Sequence, residues 1–360
     1  MTLKAKTLVG LDVHARQTHA AVLDPESGEI AVRRLRVAPG GVAEFLAELG
    51  PDVLAVYEAG ATGFGLARAG AEWGLDVRVA APGSIPRAPG DRVKTDRRDA
   101  IRLARLLAAG ELTFAFVPSV ADEHFRDLVR VIEDVRSDLM RARHRLGVFV
   151  MRRGERYSGS GNNWQPKHMS WLRALRFEDA CSRATFDEYL DAVELLTSRK
   201  AALVRALEQQ VPRSSHAPMV ARLRCFRGID TLAAAGLCAE VGSFERFAKP
   251  DLLSGFLGIV PTERTSDVRR RQGAITKAGP AHARRLLVEA AHHYRFKPAI
   301  GISLGRRQEG QDPRVIAVAW RAQRRLYQRW AHLRQHKPVP VVAIAVAREL
   351  AAFVWEAATL

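Results

Sequence analysis

The sequence predicts a mixed α/β domain at the start of the chain, followed by long helices and a basic, mainly α-helical C-terminal domain. Three observations support this prediction: short apolar segments before residue 120, helical periodicity after it, and a positive charge confined to one segment. The 360 residues are enough for two domains and a connector. We place the domain boundaries at 1–120, 121–211, 212–340 and 341–360, and the last of these segments is expected to be a C-terminal helix.

The first 120 residues alternate between strand-like and helix-like segments. β-branched and apolar runs predict strands over residues 7–14, 18–23, 30–37, 52–57 and 77–80. Helices are predicted after Gly41 to near Gly50, over 63–73, and, behind a Pro/Gly-rich loop, over 93–109. Strands in a hairpin run, followed by alternating helices and strands, indicate an RNase H-like (RuvC-like) α/β domain.

Two long amphipathic segments follow, over residues 121–153 and 186–210. They are separated by a loop at residues 158–163, where the sequence is SGSGNN. The two helices suit an antiparallel coiled coil that acts as a connector or dimerisation arm. The alternative, that they cover the sheet, is left open by the sequence.

The charge of the chain is concentrated in one part. The formal net charge is +17, and residues 211–340 hold 24 Lys and Arg against 9 Asp and Glu. The first 210 residues are nearly balanced, with 31 against 28. Such a segment predicts a polyanionic partner, either nucleic acid or an anionic membrane surface. The most apolar stretch, 341–347, is too short to span a membrane, which favours nucleic acid.

The cysteines and the N-terminus bear on location. Cys181, Cys225 and Cys238 have no metal-type spacing and are interpreted as buried thiols in a reducing compartment. No signal peptide precedes the first predicted strand. We therefore expect a cytoplasmic, nucleoid-associated protein with no membrane partner.

Four carboxylates stand where the predicted fold would bring them together. Asp12 ends the first strand, Glu58 ends the fourth, and Asp96 and Asp99 share one face of the following helix. These carboxylates would repel one another unless cations neutralised them. Carboxylate oxygens are ligands that favour Mg²⁺ or Mn²⁺. Two such ions would clamp the attacking and leaving oxygens of a phosphodiester. Taken singly, each residue also fits a turn, a cap or a solvated helix face.

The motifs GLDVH, YEAG and KTDRRDA resemble the DEDD insertion-sequence transposases of the IS110 family. The resemblance continues in RLRCFRGIDTLAAAGLCAEVGSFERF, in GFLGIVPTERTSDVRRRQGAITKAG and in AVARELAAFVWE. It implies a recombinase that excises and inserts its element on donor and target DNA, guided by a bridge RNA encoded beside its gene. It also implies dimers that assemble into a tetramer, with each active site built from two subunits.

The resemblance further implies a nucleophilic serine in the C-terminal domain that links covalently to DNA phosphate. Ser266, in the loop PTERTSD, stands at that position, and Thr265 is the fallback. The family usually has glycine next, whereas this chain has Asp267, which adds negative charge beside an incoming phosphate. A serine hydroxyl needs a base or a metal to activate it, so Ser266 is expected to work with the carboxylates.

Basic residues around this serine are candidates for holding the nucleic-acid backbone. The turn Arg227-Gly228 between two predicted helices fits a helix-hairpin-helix, and an ordinary helical turn equally well. The helix opened by Gly279 and Pro280 offers free N–H groups to phosphate. The full set of predicted nucleic-acid-binding residues is Arg227, Gly228, Arg264, Arg269, Arg270, Arg271, Lys277, Arg284 and Arg285.

Three other functions are alternatives to the transposase. A RuvC-like endonuclease would use water and no covalent step, so it would not need Ser266. A nucleic-acid-binding protein with an inactive site disagrees with the four intact carboxylates. An ATPase or sugar kinase would need phosphate-binding glycine loops that the sequence lacks, and it leaves the basic segment without a role.

Overall fold

Two units make up the chain, Met1–Ser119 and Val120–Leu360. A computed structural model of the protein describes residues 7–36, 38–86, 95–266 and 269–360. Among these residues, no helix is long and apolar enough to cross a membrane.

The first unit contains a five-stranded mixed sheet. Its strands are β1 (Thr7–Val13), β2 (Thr18–Leu23), β3 (Ile30–Leu35), β4 (Val53–Glu58) and β5 (Asp76–Ala80). Their order across the sheet is β3-β2-β1-β4-β5, in which β1–β2 and β2–β3 are antiparallel and β1–β4 and β4–β5 are parallel. A hairpin run that continues into parallel strands is consistent with the predicted RNase H-like domain.

Helices cover both faces of this sheet. They are α1 (Pro39–Glu48), α2 (Gly65–Glu72) and α3 (Asp96–Ala108). Because side chains alternate along a strand, odd-numbered residues of β1 such as Leu11 join the core that includes α1 and α2, whereas Leu8 joins the core that includes α3. The even-numbered residues, Asp12 among them, therefore belong to the α3 face.

The third helix begins later than its sequence pattern predicts. Its first residue is Asp96, and residues 93 and 94 lie outside the described part of the chain. The start is fixed by Thr95, whose side chain accepts a hydrogen bond from the backbone N–H of Arg98 at 3.3 Å. A threonine cap of this kind satisfies one of the free N–H groups of the first helical turn.

The second unit is mainly helical. Its helices are α4 (Val120–Arg152), α5 (Pro166–Ala174), α6 (Ala180–Gln210), α7 (Ala217–Leu223), α8 (Thr231–Val241), α9 (Pro250–Phe256), α10 (Ala281–Ala291), α11 (Ile302–Gln308), α12 (Pro313–Arg334) and α13 (Val339–Ala358). One core joins α13 to α7, α8, α10 and α12, and Val346 and Leu350 of α13 are fully buried there. The predicted C-terminal helix is therefore an internal part of this unit.

The long helices α4 and α6 run antiparallel. Leu146 near the end of α4 packs with Phe186 and Leu190 near the start of α6, while Phe125 at the other end of α4 shares a core with Leu207. This pairing has the direction expected of the predicted connector. Its use as a coiled-coil dimerisation arm stays a prediction.

Two features of the second unit differ from the sequence interpretation. Residues 261–275 contain a hairpin of β6 (Pro261–Ser266) and β7 (Arg269–Ile275) where the sequence predicts a loop. The charged segment lacks the apolar alternation by which strands are recognised, because a two-stranded hairpin needs no buried face. The expectation that all three cysteines are buried is wrong for Cys181, which is exposed.

Candidate active site

Asp12 and His19 lie directly opposite each other in the antiparallel pair of β1 and β2. Residues 14–17 turn the chain between the two strands, and the N–H of His14 donates to the carbonyl of Gln17 at 2.9 Å. Opposed residues of an antiparallel pair have their side chains on one face of the sheet. The hairpin therefore brings a carboxylate and an imidazole together on the α3 face.

Asp96 reaches the same place from α3, because that helix packs closely on β1. The contact is made at Gly10, where a Cβ atom would lie 2.2 Å from the carbonyl oxygen of Ala100 and 2.4 Å from the backbone nitrogen of Ala104. Only glycine permits this approach. Asp96 and Asp99 stand in the first turn of the helix, where the positive end of the helix dipole favours negative charge.

The side chains of these elements form a cluster, which we call the acidic cluster: Asp12, His19 and Asp96. One ligand atom from each lies within 4.8 Å of the others. His19 Nδ1 is 3.7 Å from Asp96 Oδ2. His14 adjoins the cluster, since its Nε2 is 3.2 Å from Asp12 Oδ2 and 3.7 Å from Asp96 Oδ2. The ring nitrogen of His14 thus lies beside both carboxylates.

The surroundings of Asp12 disfavour its ionised form. Burial raises the pKa of the Asp12 carboxyl above its ordinary value, and the carboxylates of Asp96 and Asp99 raise it further. The charge and hydrogen bond of His14 oppose this rise without cancelling it. A cation placed among these carboxylates would reverse the effect, since it favours their ionised forms.

The other two predicted carboxylates lie at the edge of the cluster. Glu58 is exposed at the end of β4, one step beyond the register pair of Leu11 and Tyr57, which puts it next to Asp12 in the parallel strands. The Asp99 side chain is 14% exposed, and one of its oxygens is 3.0 Å from Arg102 Nη2. In the part of the chain that the structure describes, neither residue belongs to the group of ligand atoms formed by Asp12, His19 and Asp96.

The residues present fit a divalent cation. Two carboxylates provide hard oxygen donors, and His19 provides a nitrogen. The Nδ1 atom of His19 is buried and has no hydrogen-bond partner among the described residues. A buried polar atom without a partner is costly, and a bound cation would satisfy it.

The candidate nucleophile lies in the second unit. Ser266 is the last residue of β6 and stands opposite Arg269 of β7. Asp267 lies outside the described residues, and so do the side chains of residues 264–271, which include Thr265 and the predicted phosphate ligands Arg264, Arg269, Arg270 and Arg271.

The base of this hairpin is held by tight backbone contacts. A Cβ atom on Gly279 would lie 1.8 Å from the carbonyl oxygen of Phe256, and one on Gly258 would lie 2.1 Å from that of Ala278. Next to this crossing, Lys277 is exposed and has a φ of +56°, a left-handed conformation that glycine prefers. A lysine held in this conformation at the foot of the hairpin is a candidate phosphate contact.

The remaining predicted nucleic-acid-binding residues make contacts within the second unit. Arg284 Nη1 donates to the carbonyls of Leu257 and Ala278 at 2.8 and 2.9 Å. Arg285 pairs with Glu289 at 2.7 Å and also with Glu133. These contacts give both arginines a structural role.

The turn between α7 and α8 is also tied to its surroundings. Arg227 Nη1 donates to the carbonyls of Phe296 and Lys297. Gly228 has a φ of +81°, and a Cβ atom there would lie 2.8 Å from the carbonyl oxygen of Ala290 on α10. The turn therefore requires glycine for packing, and its identity as a helix-hairpin-helix stays a prediction.

The sequence interpretation missed His19. The residue sits in the apolar segment THAAVL, where a lone histidine fits ordinary strand packing. The available signal was the hairpin itself, since pairing residue 13 with residue 18 puts His19 opposite Asp12.

Comparison with known proteins agrees with the arrangement of the chain. The family described as "Transposase IS116/IS110/IS902 family" matches residues 220–301, and the DEDD transposase family of IS110 matches residues 9–150. A relative from Sinorhizobium fredii, described as a transposase, is 37% identical over 97% of this chain and 88% of the relative. The transposase for insertion sequence element IS1533 of Leptospira borgpetersenii is 30% identical over 92% of this chain and 97% of its own length.

The first match covers the hairpin with Ser266, and the second covers β1, β4 and α3 with the four carboxylates. Transposases of the DEDD type use divalent metal ions, in keeping with the donors of the acidic cluster. The chain belongs to the IS110 family of DEDD transposases and is a DNA transposase.

Proposed function

We propose that this transposase cuts and rejoins DNA through the acidic cluster, with Glu58 and Asp99 as further carboxylates, and through a covalent link between Ser266 and DNA. The observation that carries the proposal is the convergence of Asp12 and Asp96, from a strand and a helix far apart in the sequence, on the same ring nitrogen of His14. Carboxylates with so little compensating charge favour a site that takes a cation together with a phosphodiester.

The cluster residues and the neighbouring Glu58 and Asp99 would hold Mg²⁺ or Mn²⁺, one or two ions. When bound, the ions supply Lewis-acid stabilisation of the phosphodiester oxygens. Asp12 and Asp96 provide the ligand oxygens, and the positive end of the α3 dipole favours a negative charge at the position of Asp96. His14, with its side chain half exposed, is placed to hold or release a proton at Nε2.

In the covalent step, the Ser266 oxygen forms a bond to phosphorus as the bond from phosphorus to a sugar oxygen breaks. The hydroxyl proton of the serine ends on the leaving sugar oxygen. A sugar hydroxyl of the second DNA strand then displaces the serine, which recovers its proton and completes strand transfer. The basic segment, with Lys277 and the arginines of β7, would hold the backbone phosphates during both steps.

We further propose that a bridge RNA selects donor and target DNA, and that the protein acts as a dimer or tetramer. The net positive charge of residues 211–340 supports this proposal, since RNA and DNA are both polyanions. In such a system base pairing would set the target, and the protein would contribute contacts to the backbone.

The test is a search for a protein–DNA adduct on denaturing gels. Purified protein is incubated with Mg²⁺, RNA transcribed from the flanks of its gene, and labelled DNA carrying the junction of the element. An adduct is expected in the wild type, and it should be lost in Ser266→Ala, Asp12→Ala and reactions without RNA. Strand cleavage that persists in Ser266→Ala without an adduct would contradict the covalent step and indicate an endonuclease that uses water.

A further inference from the structure

We infer that His19 binds the divalent cation directly through Nδ1, so that the site has a nitrogen ligand and binds Mn²⁺ more tightly than Mg²⁺. The inference rests on the proposed metal-dependent function and adds a ligand that none of the four acidic residues supplies. It concerns ion binding, which is measured without DNA.

The ring nitrogen of His19 lies near the carboxylate oxygens of the cluster. The separation of 3.7 Å between His19 Nδ1 and Asp96 Oδ2 is too long for a direct hydrogen bond. It is short enough that a small movement of either side chain would let both atoms bind one ion. Asp12 faces His19 across the hairpin, so three donors surround one point.

The same nitrogen has no hydrogen-bond partner among the described residues. Nδ1 is buried and makes no hydrogen bond within the described part of the chain, although the side chain as a whole is 17% exposed. Buried ring nitrogens are normally paired, and leaving one unpaired destabilises the fold. Coordination of an ion would remove this cost.

The repulsion among the carboxylates favours a neutral ligand at position 19. Asp12 already carries a raised pKa from burial and from the neighbouring carboxylates of Asp96 and Asp99. Another carboxylate at position 19 would add to the repulsion, whereas a neutral imidazole adds a ligand without adding negative charge. Imidazole nitrogen suits transition-metal ions such as Mn²⁺ better than it suits Mg²⁺, which gives the site a preference between the two.

His14 is the competing candidate, because its Nε2 is near both carboxylates. It differs from His19 in being half exposed and in already making a 3.2 Å hydrogen bond with Asp12. A bound cation would have to displace that contact. His14 therefore serves as the matched control, as a second imidazole in the same hairpin.

The experiment is pulsed electron paramagnetic resonance of Mn²⁺ bound to the full chain, combined with calorimetric titration of Mn²⁺ and Mg²⁺. Electron spin-echo modulation from a directly bound ¹⁴N nucleus is expected in the wild type and in His14→Gln, and it should disappear in His19→Gln. The dissociation constant for Mn²⁺ should rise about tenfold or more in His19→Gln, with a smaller change for Mg²⁺.

The outcomes separate this inference from the proposed function. Mn²⁺ binding without nitrogen modulation in the wild type would overturn the inference while leaving the proposed metal-dependent strand transfer intact. Modulation that persists in His19→Gln and is lost in His14→Gln would assign the nitrogen to His14 and also overturn it. A wild type that binds neither ion would contradict both proposals.

Discussion

Gly10 lies so close to Ala100 that a Cβ atom on the glycine would be 2.2 Å from the alanine carbonyl oxygen. This contact joins the centre of β1 to the second turn of α3, and it sets the distance between the strand that carries Asp12 and the helix that carries Asp96. The geometry of the acidic cluster therefore depends on a residue that has no side chain.

Gly10→Ala should push α3 away from β1 and weaken the site. Crowding of this kind costs about 1–3 kcal/mol of unfolding free energy, and Mn²⁺ affinity and adduct formation should fall with it. Thermal unfolding and calorimetry would check both effects. Gly40→Ala in α1 is the matched control, since no atom lies within 4 Å of the added methyl group and stability should be unchanged or slightly higher. A Gly10→Ala protein that binds Mn²⁺ normally would contradict this account of the cluster.

Asp12→Asn should stabilise the metal-free protein. Burial and the carboxylates of Asp96 and Asp99 raise the pKa of Asp12, so the ionised side chain is unfavourable at neutral pH and a neutral amide removes that cost. The melting temperature in chelator should therefore rise, while the further rise on adding Mn²⁺ should be lost. Glu44→Gln, an exposed change on α1, is the control that should alter neither value. A lower melting temperature for Asp12→Asn in chelator would show that the carboxylate is stabilising.

Glu240 should contribute stability that is lost at low pH. Burial acts to raise its pKa, but hydrogen bonds with His282 and Arg130 and the charge of Arg130 outweigh it and lower the pKa to about 2. A group whose pKa is lowered in the folded state stabilises the fold at pH values above its ordinary pKa of 4.5. This contribution disappears as the pH falls toward 2.

Glu240→Gln should therefore lower the unfolding free energy of the second unit by up to about 3 kcal/mol at neutral pH. The difference in unfolding free energy between the variant and the wild type should narrow as the pH falls from 4.5 to 2. A pH series of thermal or urea unfolding curves would measure it. Glu289→Gln is the control, because that carboxylate pairs with Arg285 but is 58% exposed. A difference in unfolding free energy that stays constant with pH would mean that the variant loses stability through packing.

Lys277 should be needed for binding and dispensable for folding. Its φ of +56° is a left-handed conformation, so Lys277→Gly relieves backbone strain and should leave the melting temperature equal or higher. Removal of the lysine charge should weaken DNA binding. The slope of the logarithm of the binding constant against the logarithm of the salt concentration should become shallower by about one. Asparagine also tolerates the left-handed conformation, so the Lys277→Asn variant should bind DNA as weakly as the glycine variant. Unchanged affinity in both variants would exclude a phosphate contact.

The sequence predicted the strand positions of Asp12 and Glu58 and the helix of Asp96 because each belongs to an element with a clear apolar pattern. It did not predict which of the carboxylates approach most closely. That depends on how tightly α3 packs on β1, which is a property of Gly10 and Ala104 together. His19 was not predicted as a site residue because its position opposite Asp12 follows from the strand register. The sequence around it shows only an apolar strand.

The hairpin around Ser266 was missed for another reason. Pairing of Ser266 with Arg269 and of Thr265 with Arg270 is made by backbone hydrogen bonds in a segment with few apolar residues. Hydrophobic periodicity cannot reveal strands in a segment with so few apolar residues. The anchoring glycines, Gly258 and Gly279, owe their close approaches to segments that are distant in sequence.

The hairpin of β1 and β2 also has a consequence for folding kinetics. Asp12 and His19 are paired across a short turn, so their half of the cluster forms from local contacts that cost little chain entropy. Asp96 joins only when α3 docks, which requires closure of a much longer loop. A cation that bridges the hairpin and the helix would thus act late in folding. It would prolong the lifetime of the native state by slowing unfolding, with little acceleration of refolding.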